Sequence, residues 1–459
     1  MDREIIELAN DPQFPRWVEQ VTATGGCAHP IHISGHTTTR DAATGEILHH
    51  YSTANEPGER LLLRCRNRRT SVCPSCSHLH AGDTYHLVRA GLIGGKTVPT
   101  IVRDHPRLFV TLTAPSFGPV HHTTDSGQRC RPRRERAHCE HGRPLGCHRV
   151  HAPGDPLIGQ PLCPDCYDYP AHVLWHAHAG EVWARFARTV RRHLATTAGI
   201  PQTHFPHHAR LSFAKVAEYQ QRGAVHVHAV VRLDGPKGPT EPPPAWGTHQ
   251  LLTGAIRAAI RRVVVHTPYS SAIGELALRW GPQFDARPLH TTGGPDGLTD
   301  DAVAAYVAKY VTKGSAETSS GLDHRITDPA EINRAPVSSH IRTLMRTCWQ
   351  LGSLPEFEDL RLRSWAHTLG YRGHILTKSR AYSTTYQALR AERARHRNAP
   401  LQLRRDVNAV TDSHWRYTGS GHTPGAALIS AGIAEDLAVG REMAREAVSS
   451  TDGGAFGAQ

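Results

Sequence analysis

Two histidines separated by one apolar residue, His226-Val227-His228, are spaced to hold a metal. They lie in the stretch 215–233, which reads KVAEYQQRGAVHVHAVVRL. Successive side chains of a β-strand point to opposite faces, so both imidazoles leave the same side. The run 224–233 is rich in Val and is bounded by Gly223 and by Asp234-Gly235-Pro236, as a strand should be. A second strand is predicted over 211–219, joined to the first by the loop Gln221-Arg222-Gly223 with its glycine in the left-handed position. That register sets Glu218 opposite His226, with Cβ atoms about 5 Å apart. Two neutral imidazoles and a carboxylate on one face make a divalent-cation site with open positions. Gln220 is an alternative third ligand, but it pairs opposite Ala224, one step further from His228. The histidine pair alone would mean little in a chain with 34 His, which also holds His176-Ala177-His178.

A second stretch, 303–313, reads VAAYVAKYVTK. Tyr306 and Tyr310 are four residues apart, as are Lys309 and Lys313, and on a helix such pairs share a face. Thr299 is the predicted N-cap, Asp300 and Asp301 fall in the first turn, and Gly314 suits the end. A plain core stripe of Tyr, Val and Ala is the alternative, and lysine usage argues against it. Six of the 53 basic residues are Lys and two of the six fall here, which suggests that a compact point charge is wanted.

Taken in order, Phe109-Val110-Thr111-Leu112-Thr113, then His226-Val227-His228, then Tyr306-Val307-Ala308-Lys309-Tyr310 resembles the HUH endonuclease superfamily and, within it, the rolling-circle replication initiators. The doubled tyrosine resembles the two-tyrosine initiators of small phages. Two Cys-x-x-Cys pairs, and Arg372-Gly373-His374 with Thr377-Lys378-Ser379-Arg380, are similar to replication initiators of actinomycete plasmids and integrative conjugative elements. That closer resemblance covers most of the chain. It implies an α+β fold with a ferredoxin/RRM-like HUH endonuclease core, an antiparallel sheet with helices on one face. In such a core residues 107–114 form the central strand beside the metal face.

The chemistry expected is nicking of single-stranded origin DNA. Mg²⁺ or Mn²⁺ held by His226, His228 and Glu218 would polarise the scissile phosphate. A tyrosine pKa is about 10, so Lys309 or Lys313 must help stabilise the phenolate. Attack by tyrosine leaves a 5′-phosphotyrosyl bond and a free 3′-OH for a polymerase. A second tyrosine permits a second cleavage and strand transfer. Both tyrosines fit the same local pattern, and Tyr306 is favoured for initiation. A conjugative relaxase is the nearest alternative, but relaxases place the tyrosine ahead of a three-histidine motif. A non-catalytic zinc-finger DNA-binding regulator is the alternative from another class.

The elements that would position these groups are spread over a chain long enough for two or three domains. Net charge is +12 and pI about 9.4, which favours a polyanionic partner, single-stranded and duplex origin DNA above all. No apolar run of about 18 residues is present and the first residues lack a signal-peptide pattern, so the expected address is cytoplasmic, with no membrane partner. In that compartment ten Cys read as metal ligands or free thiols. Residues 1–105 are expected to form a zinc-binding module through Cys27, Cys65, Cys73 and Cys76, with His29, His78 or His86 as possible substitutes. Arg64, Arg66, Arg68 and Arg69 lie between those ligands, placed to contact phosphates.

Residues 106–315 are expected to hold the nuclease core, interrupted by a polar insert at 119–170. A second structural Zn²⁺ is predicted there on Cys139, Cys147, Cys163 and Cys166, with Cys130 as the alternative and His141, His148 and His151 as further candidates. Helices are predicted over 179–198 and 247–265, and a strand over 284–291. Residues 316–459 read as a basic, mainly helical region. Lys378, Arg380, Arg390, Arg393, Arg395 and Arg397 interleave there with Tyr371, Tyr382 and Tyr386, which are candidates to stack on unpaired bases; a solvated basic helix is the plain alternative. No Gly-x-x-x-x-Gly-Lys-Ser/Thr pattern is present, so unwinding calls for a host helicase alongside the polymerase, and no small-molecule substrate is expected.

Overall fold

The apolar run around His226 becomes a strand covered on both faces, and the neighbouring elements are arranged about it. A computed structural model of the chain describes residues 2–123, 127–133, 137–289, 299–312, 322, 324–397 and 409–453. In chain order the elements begin with α1 (Asp2–Ala9), α2 (Phe14–Ala23), β1 (Ile31–Asp41), β2 (Ile47–Ser52), β3 (Leu61–Leu63) and α3 (Pro74–Ile93). Next come β4 (Arg107–Leu112), α4 (Tyr169–Thr197), β5 (Arg210–Tyr219), β6 (Val225–Asp234), α5 (His249–Arg262), β7 (Val265–His266), β8 (Ala277–Leu278) and β9 (Phe284–Pro288). The chain continues through α6 (Asp300–Thr312), α7 (Pro329–Arg334), α8 (Ser339–Leu351), β10 (Leu376–Lys378), α9 (Tyr386–Arg397), β11 (Ala409–Ser420) and α10 (Pro424–Gly453).

Two compact units result, Met1–Asp83 with Gln387–Gln459, and Thr84–Tyr386. They cut the chain at other places than the expected segments 1–105, 106–315 and 316–459. In the first unit β1 pairs with β11 on one edge and with β2 and β3 on the other, all antiparallel. Helix α10 packs on α1 and α2. The C-terminal part therefore contributes a twelve-residue strand, β11, as well as helices. Its residues, AVTDSHWRYTGS, are exposed almost throughout, so they lack the apolar alternation by which a half-buried strand is recognised.

The second unit carries an antiparallel sheet ordered β10-β5-β6-β4-β9. The β5–β6 hairpin has the expected register, with Glu218 opposite His226 and Val216 opposite His228. Its loop closes through Gly223 N–H to Gln220 O (2.8 Å), with Gly223 at φ +77°. Val227, Val231 and Phe213 point to the face covered by α4, where the Trp183 ring lies 5.1 Å from Phe213. Helix α4 is 29 residues long, ten residues longer at its start than its apolar stripe suggests. Asp168 caps it by accepting from Ala171 N–H, and Pro170 sits in the first turn.

The opposite face carries Phe109, Thr111, His226, His228 and Arg232, and α6 lies across it. Helices on one face only was the expectation, and the structure corrects it. All of β6 except His226 is buried, so neither side of this strand is left to water. Thr299 caps α6 as its sequence suggests, its hydroxyl accepting from Ala302 N–H (3.1 Å). Tyr371 and Tyr382 are buried in this unit, which removes them as platforms for unpaired bases.

A buried ionic network fixes one end of the sheet. Arg232 is fully buried and its guanidinium donates to Asp234 (2.6 and 3.0 Å) and to the carbonyls of Gly91 and Tyr382. Asp234 also accepts from Ser212 (2.6 Å) and meets His105 Nδ1 (2.8 Å). Burial alone would raise the Asp234 pKa, but hydrogen bonds from His105, Arg232 and Ser212 hold it below the ordinary range. Its contribution to stability is therefore complete above about pH 4 and is lost as pH falls through the depressed folded value. Arg232→Leu should strand the carboxylate in the core and cost about 3–5 kcal/mol, read from the urea midpoint. A loss below about 1 kcal/mol would show that the network is not needed.

Candidate functional site

His228 is the centre of the face beneath α6. Strand β4 brings Thr111 opposite it, and the Thr111 hydroxyl lies 3.0 Å from Nδ1. The other ring nitrogen, Nε2, lies 3.0 Å from Glu218 Oε2 and 3.2 Å from the Tyr306 hydroxyl. The Tyr306 ring stands edge-on to His228 at 5.1 Å and to Phe109 at 5.7 Å. Tyr310, one turn later, stacks at 6.0 Å from His228 and lies tilted at 4.5 Å from Tyr306. Thus α6 delivers both phenols to the histidine face, about eighty positions away in sequence. Lys309 is exposed, with Nζ 6.0 Å from the Tyr310 ring centre. Lys313 lies outside the described residues.

The electrostatics of this face oppose ionisation of the phenol. Burial raises the Tyr306 pKa, and the nearby Glu218 carboxylate and Tyr310 raise it further. Burial lowers His226 to about 4, aided by His228 and Arg222, so that ring is neutral near pH 7 and keeps a free lone pair. Glu218, His226 and His228 share the face, with the His226 and His228 ring centres 6.0 Å apart. Glu218 spends a carboxylate oxygen on His228. The donor types, two imidazoles and a carboxylate, suit a divalent cation such as Mg²⁺ or Mn²⁺.

A cleft of about 460 Å³ opens beside His226, lined among others by Thr113, Arg131, Gln220, Arg222 and Gln283. The Arg222 side chain is fixed by Gln220 Oε1 (2.9 Å) and the carbonyls of Pro115 (3.2 Å) and Ala114 (3.4 Å). Arg131 is anchored by Val120 O (2.7 Å). Two guanidinium groups therefore line the approach to the histidines. The length and glycine of the hairpin loop predict the turn, but not that its Arg222 is fixed in the cleft wall.

Cysteine groups lie elsewhere. Cys27, Cys65, Cys73 and Cys76 converge as expected, without His29, His78 or His86. Sulfur–sulfur distances of 3.8 and 3.6 Å match the edge of a tetrahedron with Zn–S bonds of about 2.3 Å. Backbone N–H groups of Ala28, Cys65 and Asn67 point at these sulfurs, as suits thiolates.

The four cysteines expected to hold a second zinc are not brought together. Cys139, Cys163 and Cys166 gather with His141, whereas Cys147 lies with His121, Cys130 and His151. The physical reason is a local pairing of Arg131 with Cys147, which carries Cys147 to the neighbour of Arg131, Cys130. The turn from Cys139 to Gly142 faces the Cys163–Cys166 pair instead. No cysteine of the insert is spare. The spacing Cys147-x-x-x-His151 was the available signal.

Comparison with known proteins agrees along nearly the whole length. The family model described as RepSA, replication initiator protein, pSAM2, matches residues 13–435. A replication initiator protein of Streptomyces ambofaciens is 47% identical over 455 residues, covering 97% of this chain and 95% of that protein. No solved structure matches. Among the described residues no helix is long and apolar enough to cross a membrane.

The four-cysteine group yields a direct expectation. Cys73→Ser should lose one equivalent of zinc and speed hydrogen exchange across residues 27–76 by at least about tenfold, because structural zinc supplies folding free energy. Amides of 210–234 should stay protected, and unchanged zinc content would dismiss this group as a metal site.

Proposed function

Because the chain belongs to the RepSA family of replication initiator proteins, we propose that it starts rolling-circle replication of an extrachromosomal or integrative element by nicking one origin strand with tyrosine. The observation that carries this reading is the Tyr306 hydroxyl 3.2 Å from His228 Nε2, on the face shared with His226 and Glu218. Catalysis is assigned to elements between 106 and 315, and wider DNA contact to the flanking regions. A divalent cation held by His226, His228 and Glu218 would supply charge to a non-bridging phosphate oxygen and to the forming phenolate.

The protein's own groups do the rest. Thr111 orients the His228 ring through Nδ1, and Phe109 packs against Tyr306. Arg222 and Arg131 draw the backbone of a single strand into the cleft beside His226. Tyr306 Oη then attacks phosphorus in line and loses its proton. The P–O3′ bond breaks, the 3′-oxygen takes up a proton, and the 5′-phosphate remains esterified to tyrosine. The ester conserves the linkage energy, so resealing needs no nucleotide. Lys309 adds a positive charge on the tyrosine helix, a role shared with Lys313 in this proposal. Tyr310, with its ring 4.5 Å from Tyr306, is assigned the second cut and the transferred strand in this proposal. A helicase and a polymerase of the host complete the process.

An oligonucleotide carrying the nick site separates this from a non-catalytic regulator. Wild-type protein with Mg²⁺ or Mn²⁺ should form a covalent adduct that survives denaturation, and Tyr306→Phe with Tyr310→Phe should reduce it at least about 10³-fold. An adduct that persists in the double variant rules out these nucleophiles; metal-independent duplex binding without cleavage identifies a regulator. Thr111→Val should fold normally yet weaken Mn²⁺ binding by about 10–100-fold, since it removes the partner that orients a ligand.

A further inference from the structure

We propose that His121, Cys130, Cys147 and His151 hold a structural Zn²⁺ of their own, and that this metal fixes the wall of the cleft beside His226. The inference stands whether or not Tyr306 is a nucleophile. Its first support is distance. His121 Nδ1 lies 3.2 Å from His151 Nε2, Cys147 Sγ lies 3.5 Å from His151 Nε2, and Cys130 Sγ lies 3.9 Å from His121 Nδ1. A tetrahedral zinc with Zn–N of about 2.1 Å and Zn–S of about 2.3 Å has edges of about 3.4–3.8 Å.

The second support is orientation. Asp155 Oδ2 takes the Nδ1 side of His151 at 2.7 Å, leaving Nε2 to face the group; a carboxylate behind an imidazole is the usual arrangement for a metal-ligating histidine. The His122 backbone N–H donates to Cys130 Sγ at 3.3 Å, as it would to a thiolate.

Burial supplies the third support. Cys130, Cys147 and His151 are 3%, 8% and 5% exposed within a segment whose described residues show isolated backbone pairings and no helix or longer strand. Two thiolates, two neutral imidazoles and Zn²⁺ sum to zero charge, which makes that burial affordable.

The consequence reaches the cleft. His121 lines it, and the residue after Cys130 is Arg131, whose guanidinium also lines it. Backbone bonds tie His121 to Gln160 and Gly159 (both 2.9 Å). A Cβ on Gly159 would stand 2.5 Å from the backbone of Gln221, so the zinc-held segment lies directly against the hairpin loop that leads to His226.

Zinc counting on the full-length protein tests this. Wild type should carry three equivalents, Cys130→Ser two, Cys139→Ser two, and the double variant one. Asp155→Asn keeps all four donors and should still fold with three, but hold one of them about 10–100-fold more weakly against a chelator. As that metal leaves, hydrogen exchange at residues 220–223 should rise. Two equivalents in wild type with none lost in Cys130→Ser, or an Asp155→Asn protein that retains zinc as wild type does, would overturn the site. Unchanged exchange at 220–223 would remove its role in the cleft.

Discussion

The candidate active face depends on one buried imidazole. His228 is 5% exposed, and its two nitrogens are divided among three partners, Thr111, Glu218 and Tyr306, from two strands and a helix. Burying a polar ring without partners would cost about 1–3 kcal/mol, so the three contacts together offset that cost besides orienting the ring. The same requirement explains why α6 crosses the sheet where it does. Its phenols close the face that a second layer of aliphatic side chains would otherwise have to fill. The helix start is held to the sheet by Arg107, which donates to Asp300 (2.8 Å).

The Cys- and His-rich segment between β4 and α4 solves a different problem. It has too little apolar surface to form a core, and the described residues show no helix within it and only isolated pairings. Hydrogen bonds order part of it, and its two Cys/His groups would add metal–ligand bonds, whose strength does not scale with buried area. With zinc bound to both groups, as proposed, a polar, basic stretch would be held against the β5–β6 loop. There it contributes Arg131 to the cleft without contributing a hydrophobic layer.

Legibility from sequence followed how local each constraint is. The Glu218–His226 register was readable because a three-residue loop with Gly223 leaves one way to pair the strands. The Thr299 cap and the shared face of Tyr306 and Tyr310 were readable for the same reason. The position of α6 on the far side of the sheet was not, because a continuous apolar run such as Ala229-Val230-Val231 does not say what covers each face. Cys147 was assigned to the wrong partners because thiol spacing cannot tell which of two adjacent turns a cysteine faces; the Arg131–Cys147 pairing decides it. Tyr371 and Tyr382 look like base-stacking residues among arginines, yet tertiary packing places them inside. Strand β11 is polar and exposed, so its pairing with β1 left no hydrophobic trace.

The electrostatic state of Tyr306 bears on the proposed reaction. Burial and the Glu218 carboxylate both hold its phenol protonated in the free protein. A phosphodiester adds more negative charge, so substrate alone makes the phenolate harder to form. Burial is the larger cause of that penalty; a cation bound by Glu218 and the imidazoles would offset the second, the Glu218 charge, with Lys309 adding positive charge from the helix. If Tyr306 is the nucleophile, as proposed above, the Glu218 carboxylate beside it makes reactivity conditional on the cation as well as on the strand. In the proposed reaction the same carboxylate that would help hold the cation is therefore the charge that keeps the Tyr306 phenol protonated until the cation is bound.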